Sequence, residues 1–229
     1  MEEGPWQRPV PRLEPVNIGR LTVYQIASTF QRQNCYIVTE KESATAVVID
    51  PGYGACAAVD KLLDETGCTL SYIVLTHGHI DHIANLNELR ACRPCKVVAT
   101  PETSDMLPFP KKNLSAFHSV PPYTAERADV LISKKCDNLP WGSEKIILHL
   151  SPGHTAGCLT IEMPRMLFTG DTLIKDAKTV VKLPSGDRAS LRESLAWIFA
   201  FPEDTRIFAG HGDSFYLRDV TPQFSLGQA

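Results

Sequence analysis

The stretch Thr76-His77-Gly78-His79-Ile80-Asp81-His82 constrains this chain more than any other, because four side chains that bind metals well fall within six residues. Ser71 to Leu75 contains Tyr72, Ile73 and Val74 and reads as a buried strand that ends where the polar residues begin. The histidines are therefore expected on a loop at a strand's end. Gly78 carries no side chain, so the imidazoles of His77 and His79 can converge on one ion. Asp81 and His82 fall at the start of a helix, where they point away from that pair and can reach a second ion. One loop can serve two metals.

At 229 residues the chain can bury a full core, and one large domain over residues 17–229 is expected after a proline-rich arm over residues 1–16. Apolar residues make up 43% and charged residues 21%, both ordinary for a globular protein. A net charge of -3 gives no sign of a nucleic-acid or anionic-membrane surface, and a small-molecule substrate is the partner expected. No apolar run approaches the roughly 20 residues that span a bilayer. Met1 to Val16 has neither the basic start nor the apolar middle of an export signal, so a cytoplasmic location is expected. Seven cysteines, an odd number, suit reduced thiols better than a disulfide framework. Cys92-Arg93-Pro94-Cys95 is a single CxxC, and two ordinary thiols flanking a turn outweigh a redox or zinc role for it.

Leu21 to Ala27, Cys35 to Thr39 and Ala46 to Ile49 read as a meander of three strands, ended by the turn residues Asp50-Pro51-Gly52. Asp50 can face the metal loop from behind and hold a ligand in place. Ala57 to Glu65 has helical spacing and Gly67 as its C-cap. After the metal loop, Ile83, Leu86 and Leu89 continue a short helix, and Lys96 to Ala99 reads as a strand. Residues 101–130 carry five prolines and little periodicity, so a long surface segment that could roof the site is expected there. Met106, Phe109, Phe117 and Tyr123 are its apolar side chains, and His118 has no ligand neighbours.

The second half repeats the pattern. Lys145 to Leu150 runs as a strand into Ser151-Pro152-Gly153-His154-Thr155-Ala156-Gly157, which puts His154 at a strand's end and His149 on a strand surface. Cys158 to Glu162 and Met166 to Phe168 read as a hairpin, followed by Thr169-Gly170-Asp171. Ser190 to Glu193 has a capping-box pattern that would open a helix. Ile207 to Ala209 then leads into Gly210-His211-Gly212.

With THGHIDH, SPGHTAG, TGDT and AGHGD in that order, the chain closely resembles the metallo-beta-lactamase superfamily, and its glyoxalase-II-like hydrolases in particular, over about residues 20 to 215. The resemblance implies an α/β fold, a four-layer αββα sandwich of two mixed β-sheets with helices on the outer faces and a metal site at one edge. It also implies two divalent metal ions, with zinc favoured and iron or manganese open. His77, His79 and His154 would hold the first, Asp81, His82 and His211 the second, and Asp171 would bridge them. Two divalent ions less Asp81, Asp171 and a hydroxide leave a charge of about +1 to favour an anionic transition state. The implied reaction is attack of metal-bound hydroxide on the carbonyl of a thioester or ester, with Asp81 orienting the nucleophile or relaying its proton.

Only 18 residues follow His211, so the C-terminal helical domain with which glyoxalase II enzymes grip glutathione is not expected. Lys175, Lys178 and Lys182 are available to an anionic substrate tail. Exported beta-lactamases and RNase Z-like nucleases fit less well, for want of a signal and of a basic exosite. His79 argues against the flavin-linked di-iron oxidoreductases, which usually have an acid there. Lactonases share the ligand set, persulfide dioxygenases use one iron on a similar loop, and a binding protein without turnover is a third possibility.

Overall fold

The computed structural model describes residues 14–221. β1 (Val16–Ile18), β2 (Leu21–Ala27), β3 (Asn34–Glu40) and β4 (Thr45–Ile49) pair antiparallel in sequence order. β5 (Thr69–Val74), β6 (Lys96–Ala99) and β7 (Val130–Leu131) extend this sheet in parallel. Parallel neighbours need long crossovers, and the helices lie in them. α1 (Ala55–Thr66) joins β4 to β5, α2 (Ile80–Ile83) and α3 (Leu86–Cys92) precede β6, and α4 (Pro101–Met106) follows it.

The second sheet begins with β8 (Cys136–Trp141), β9 (Glu144–Leu150), β10 (Leu159–Met163) and β11 (Met166–Gly170), all antiparallel. α5 (Arg188–Ile198) then crosses to β12 (Arg206–Ala209), which is parallel to β11 and edged by β13 (Phe215–Tyr216).

Alternation along the strands divides their side chains between layers. Val47 and Ile49 of β4 point between the sheets, where they share a core with Phe168 of β11 and Phe208 of β12. Ala46 and Val48 point outward and pack with Val59, Leu62 and Leu63 of α1. On the far side Leu167 and Ile207 turn out to meet Leu191, Leu195 and Ile198 of α5. Both faces of both sheets are thereby covered, which gives the expected four-layer αββα sandwich.

Several expectations need correction. The helix expected to run through Ile83, Leu86 and Leu89 is broken into α2 and α3 at Asn85. The Asn85 amide donates to the Pro51 carbonyl at 2.8 Å, and its Oδ1 accepts from the Cys56 amide in the first turn of α1. Residues 101–130 are not a mere surface segment. Pro101 opens α4 with Thr100 as its cap, and Leu107, Asn113, Leu114 and Val120 are buried. Phe109 and Phe117 are exposed, Tyr123 packs on the core of the first sheet, and Met106 lies against Gly78 of the metal loop. The cap of α5 is Asp187, which accepts from the Ser190 amide, so Ser190 lies inside the helix. His149 lies half-buried on β9, where it pairs with Glu162 at 2.7 Å and packs on Trp197 of α5. The proline-rich arm falls outside the described residues except for Glu14 to Val16, of which Val16 already belongs to β1.

Cys92 ends α3 exposed and Cys95 is half-buried, both as free thiols. Arg93 between them pairs with Asp60 and Asp64 of α1, and among the described residues no cysteine joins a group of metal-donor side chains. Cys92→Ser is expected to leave activity and metal content unchanged. A large loss of either in the folded variant would return a chemical role to the CxxC.

Candidate metal centre

Four strands from the two sheets end at one edge of the sandwich, and each releases a candidate ligand there. β5 ends at Val74 ahead of His77, β9 at Leu150 ahead of His154, β11 at Gly170 ahead of Asp171, and β12 at Ala209 ahead of His211. Backbone bonds stitch the sheets together at this edge. The Leu159 amide donates to the Thr76 carbonyl at 2.8 Å, and the Asn34 amide to the Gly210 carbonyl at 2.8 Å.

The seven candidate ligands converge in two groups. His77 Nε2 and His154 Nε2 lie 3.1 and 3.0 Å from His79 Nδ1. Asp81, His82 and His211 form the second group, and His77, His82 and Asp171 come together between the two. Asp171 faces both sides: Oδ2 is 3.6 Å from His154 Nε2, while Oδ1 is 3.4 Å from His82 Nε2 and 3.5 Å from His211 Nε2. Asp81 Oδ2 lies 3.6 Å from His82 Nε2 and 3.5 Å from His211 Nε2.

These donors fit a metal. Ligands about 2.0–2.1 Å from a tetrahedral ion are about 3.3 Å from one another, close to the separations seen here. Two of the atoms, His82 Nε2 and Asp171 Oδ1, are buried polar atoms without a hydrogen-bond partner, which is costly unless something else binds them. Gly210 is required beside them, since a Cβ there would collide with Asp171 Oδ1 and approach His82 Cε1 to 2.8 Å.

Four rings are oriented from behind. Asp50 Oδ1 accepts from the Thr76 amide at 2.7 Å, and its Oδ2 accepts from Thr76 Oγ1 at 2.5 Å and from His82 Nδ1 at 2.8 Å. Thr76 Oγ1 lies 3.2 Å from His77 Nδ1. His154 Nδ1 donates to the Val180 carbonyl at 2.7 Å, and His211 Nδ1 to the Gln31 carbonyl at 3.1 Å. With Nδ1 engaged as the donor, Nε2 is the nitrogen each ring can offer to a metal once it carries no proton. Asp50 has the supporting role expected of it. The carbonyls of Gln31 and Val180 were not foreseen, because every residue has a carbonyl and no sequence signal marks these two. His118 packs on Phe30 and joins no group of metal-donor side chains among the described residues. Lys175, Lys178 and Lys182 are exposed on the strap that carries Val180.

The two groups differ in charge. Burial lowers the pKa of His79 to about 3 with help from His154, and burial together with the neighbouring histidines also takes His77 well below the ordinary value. Burial opposes charge on His82 and His211 too, but carboxylates outweigh it. Asp81, Asp171 and Asp50 hold His82 well above the ordinary value, and Asp171 and Asp81 lift His211 to about 9. Burial is likewise overcome at Asp81 and Asp171, whose pKa values the histidines depress.

At pH 7 the metal-free protein thus holds His77 and His79 neutral but His82 and His211 protonated. An ion entering the first group should displace no proton from His77 or His79, whereas one entering the second must displace them from His82 and His211. Apparent affinity at the second group is expected to rise with pH, about tenfold per unit for the His211 proton up to about pH 9, with the His82 proton adding to the slope. Calorimetry in buffers of different ionisation heat measures this release, and its absence would contradict the assignment. In the metal-free chain, protonated His211 contributes stability fully present below the ordinary histidine pKa and lost as pH rises through about 9.

Strand-end histidines and aspartates gathered between two helix-covered sheets define a metal-dependent hydrolase fold, and the chain belongs to the metallo-beta-lactamase superfamily, whose family model matches residues 28–211. A hydroxyacylglutathione hydrolase of Pelagibacter ubique is 30% identical over 192 residues, covering 82% of this chain and 70% of that protein. A probable polyketide biosynthesis zinc-dependent hydrolase of Bacillus velezensis, BaeB, is 28% identical over 196 residues, 82% of this chain and 78% of that one. Among solved structures, the BLEG-1 B3 metallo-beta-lactamase superposes with a TM-score of 0.79 at 28% identity, over 86% of this chain and 95% of that one.

Proposed function

We propose that the protein is a binuclear metal-dependent hydrolase, with zinc in both positions, acting on a small thioester or ester in the cytoplasm. The observation that carries this reading is Asp171, whose two oxygens face different donor groups. A mononuclear site needs only one of them. The hydroxyacylglutathione hydrolase and zinc-dependent hydrolase among the relatives support the reaction class and the metal.

The bound ions would supply a water with a pKa near 7 and polarise the substrate carbonyl. The chain's own residues arrange the rest. Asp171 sets the separation of the two groups, and Asp50 fixes Thr76 and His82 so that the donors need not reorganise. Asp81 stays ionised, and its carboxylate can orient the attacking water or hold its proton. The exposed Lys175, Lys178 and Lys182 favour a substrate with an anionic tail.

Elemental analysis of protein purified without added metal tests the reading, followed by a panel of thioesters, esters and lactones. About two zinc ions per chain and thioester or ester turnover are expected. About one iron per chain, with oxygen consumption on a persulfide, would replace this reading by the dioxygenase one.

A further inference from the structure

His211 is the most exposed of the candidate histidine ligands and sits two residues beyond the end of β12. Its ring is steadied from the other sheet. The chain between β2 and β3 closes in a turn from Phe30 to Gln33, with the Gln33 amide donating to the Phe30 carbonyl and the Ser28 amide to the Gln33 carbonyl at 2.7 Å. The two central residues, Gln31 and Arg32, both have φ of +54°. Successive residues in the left-handed region are ordinarily Asn and Gly, so Gln and Arg hold this shape against their preference. Backbone strain of this kind recurs where a structure must present a group at a fixed angle.

The strained turn presents the Gln31 carbonyl to His211 Nδ1 at 3.1 Å, and Gln33 forms an isolated antiparallel bridge with His211. Next to it, Asn34 donates from its backbone to the Gly210 carbonyl and from its side chain to the Gly212 carbonyl at 2.6 Å. Gln33 also reaches Asp50, which stands behind His82. Its Nε2 donates to the carbonyls of Asn34 at 2.7 Å and Asp50 at 3.1 Å, and the Asp50 carboxylate holds His82 and Thr76. Gln33 is fully buried and its Oε1 has no partner, so an apolar side chain would remove an unsatisfied acceptor. What an apolar side chain could not replace is Nε2, with its bonds to the Asn34 and Asp50 carbonyls.

We propose that the Phe30–Gln33 turn is a positioning device for the second donor group, fixing His211 through the Gln31 carbonyl and the Asp50–His82 pair through the Gln33 amide. The inference rests on the binuclear reading and concerns positioning residues, which touch neither substrate nor ion.

The test is calorimetric titration of Zn2+ alone into metal-free protein, with stoichiometry by elemental analysis and folding by thermal melt. Gln31→Pro cannot keep a positive φ. Gln33→Met keeps the length and loses the donor, and serves if the proline variant fails to fold. Each is expected to weaken the second binding step about 10- to 100-fold and to leave the first within about threefold. Gln31→Asn with Arg32→Gly suits the turn and should leave both steps unchanged, with an equal or higher Tm. Folded Gln33→Met protein with both steps as in wild type, or with both weakened alike, would overturn the proposal. So would loss of the second step in the Asn-Gly variant, since the side chains rather than the turn would then be responsible. Wild-type protein that binds one ion would overturn the binuclear reading itself.

Discussion

Asp171→Ala is expected to lower turnover by about a thousandfold or more, equivalent to about 4 kcal/mol of transition-state stabilisation. Its two oxygens serve different donor groups, so the substitution removes a ligand from each at once. The second group loses more. Asp171 Oδ1 faces both His82 and His211, and without it Asp81 is the one carboxylate left in that group. The first group keeps His77, His79 and His154, and burial with the neighbouring histidines, not Asp171, is what keeps His77 and His79 neutral. Metal content should therefore fall from about two ions to about one, in parallel with activity. Elemental analysis beside kcat on the best ester or thioester checks both. A variant with full metal content and full activity would refute the bridging role.

Asp50→Ala should have the largest effect on stability among residues outside the ligand set. Three donors lose their acceptor together: the Thr76 amide, the Thr76 hydroxyl and His82 Nδ1, all buried. Leaving such groups unsatisfied costs about 3–5 kcal/mol in total, and for a chain of this size that lowers Tm by roughly 10 °C. Metal affinity should also fall about 10- to 100-fold, because the loop from Thr76 to His82 and the His82 ring are no longer held. Asp50→Asn keeps one oxygen acceptor and should fall between wild type and Asp50→Ala. A thermal melt of metal-free protein and a zinc titration report the two effects separately. An unchanged melt would mean that the loop holds its shape without Asp50.

The candidate ligands are legible in the sequence because metal chemistry admits few residue types and because strand ends carry turn residues that stand out. Each of His77, His154, Asp171 and His211 follows an apolar run and lies next to a glycine or within a residue of one. Asp50 could be suspected for the same reason, as a carboxylate where a strand gives way to Pro51 and Gly52. Elements that depend on distant partners were less visible. Asn85 breaks a helix because Pro51 and Cys56 offer it bonds across the fold, and nothing in the local pattern from Ile83 to Leu89 announces this. Residues 101–130 look like a surface loop by their prolines, yet Leu107, Asn113 and Val120 are buried. Asp187 caps α5 although Ser190 has the more familiar capping pattern, since the chain turns into the helix earlier than the pattern suggests.

What the sequence determined by itself was the donor chemistry and the short apolar runs that became strands such as β4 and β11, while the four-layer arrangement was expected from the resemblance of its motifs to a known superfamily. The first two are properties of residue type and short-range order. Only the tertiary structure decided how the donors are shared and aimed. It brings Asp171 Oδ1 to one group and Oδ2 to the other, and sets the Gln31 and Val180 carbonyls behind His211 and His154. It also gives His77 and His82, five residues apart, opposite shifts in basicity. The reason is physical: burial and Coulomb interaction depend on distances across the fold, and a carbonyl is the same in every residue until folding places it.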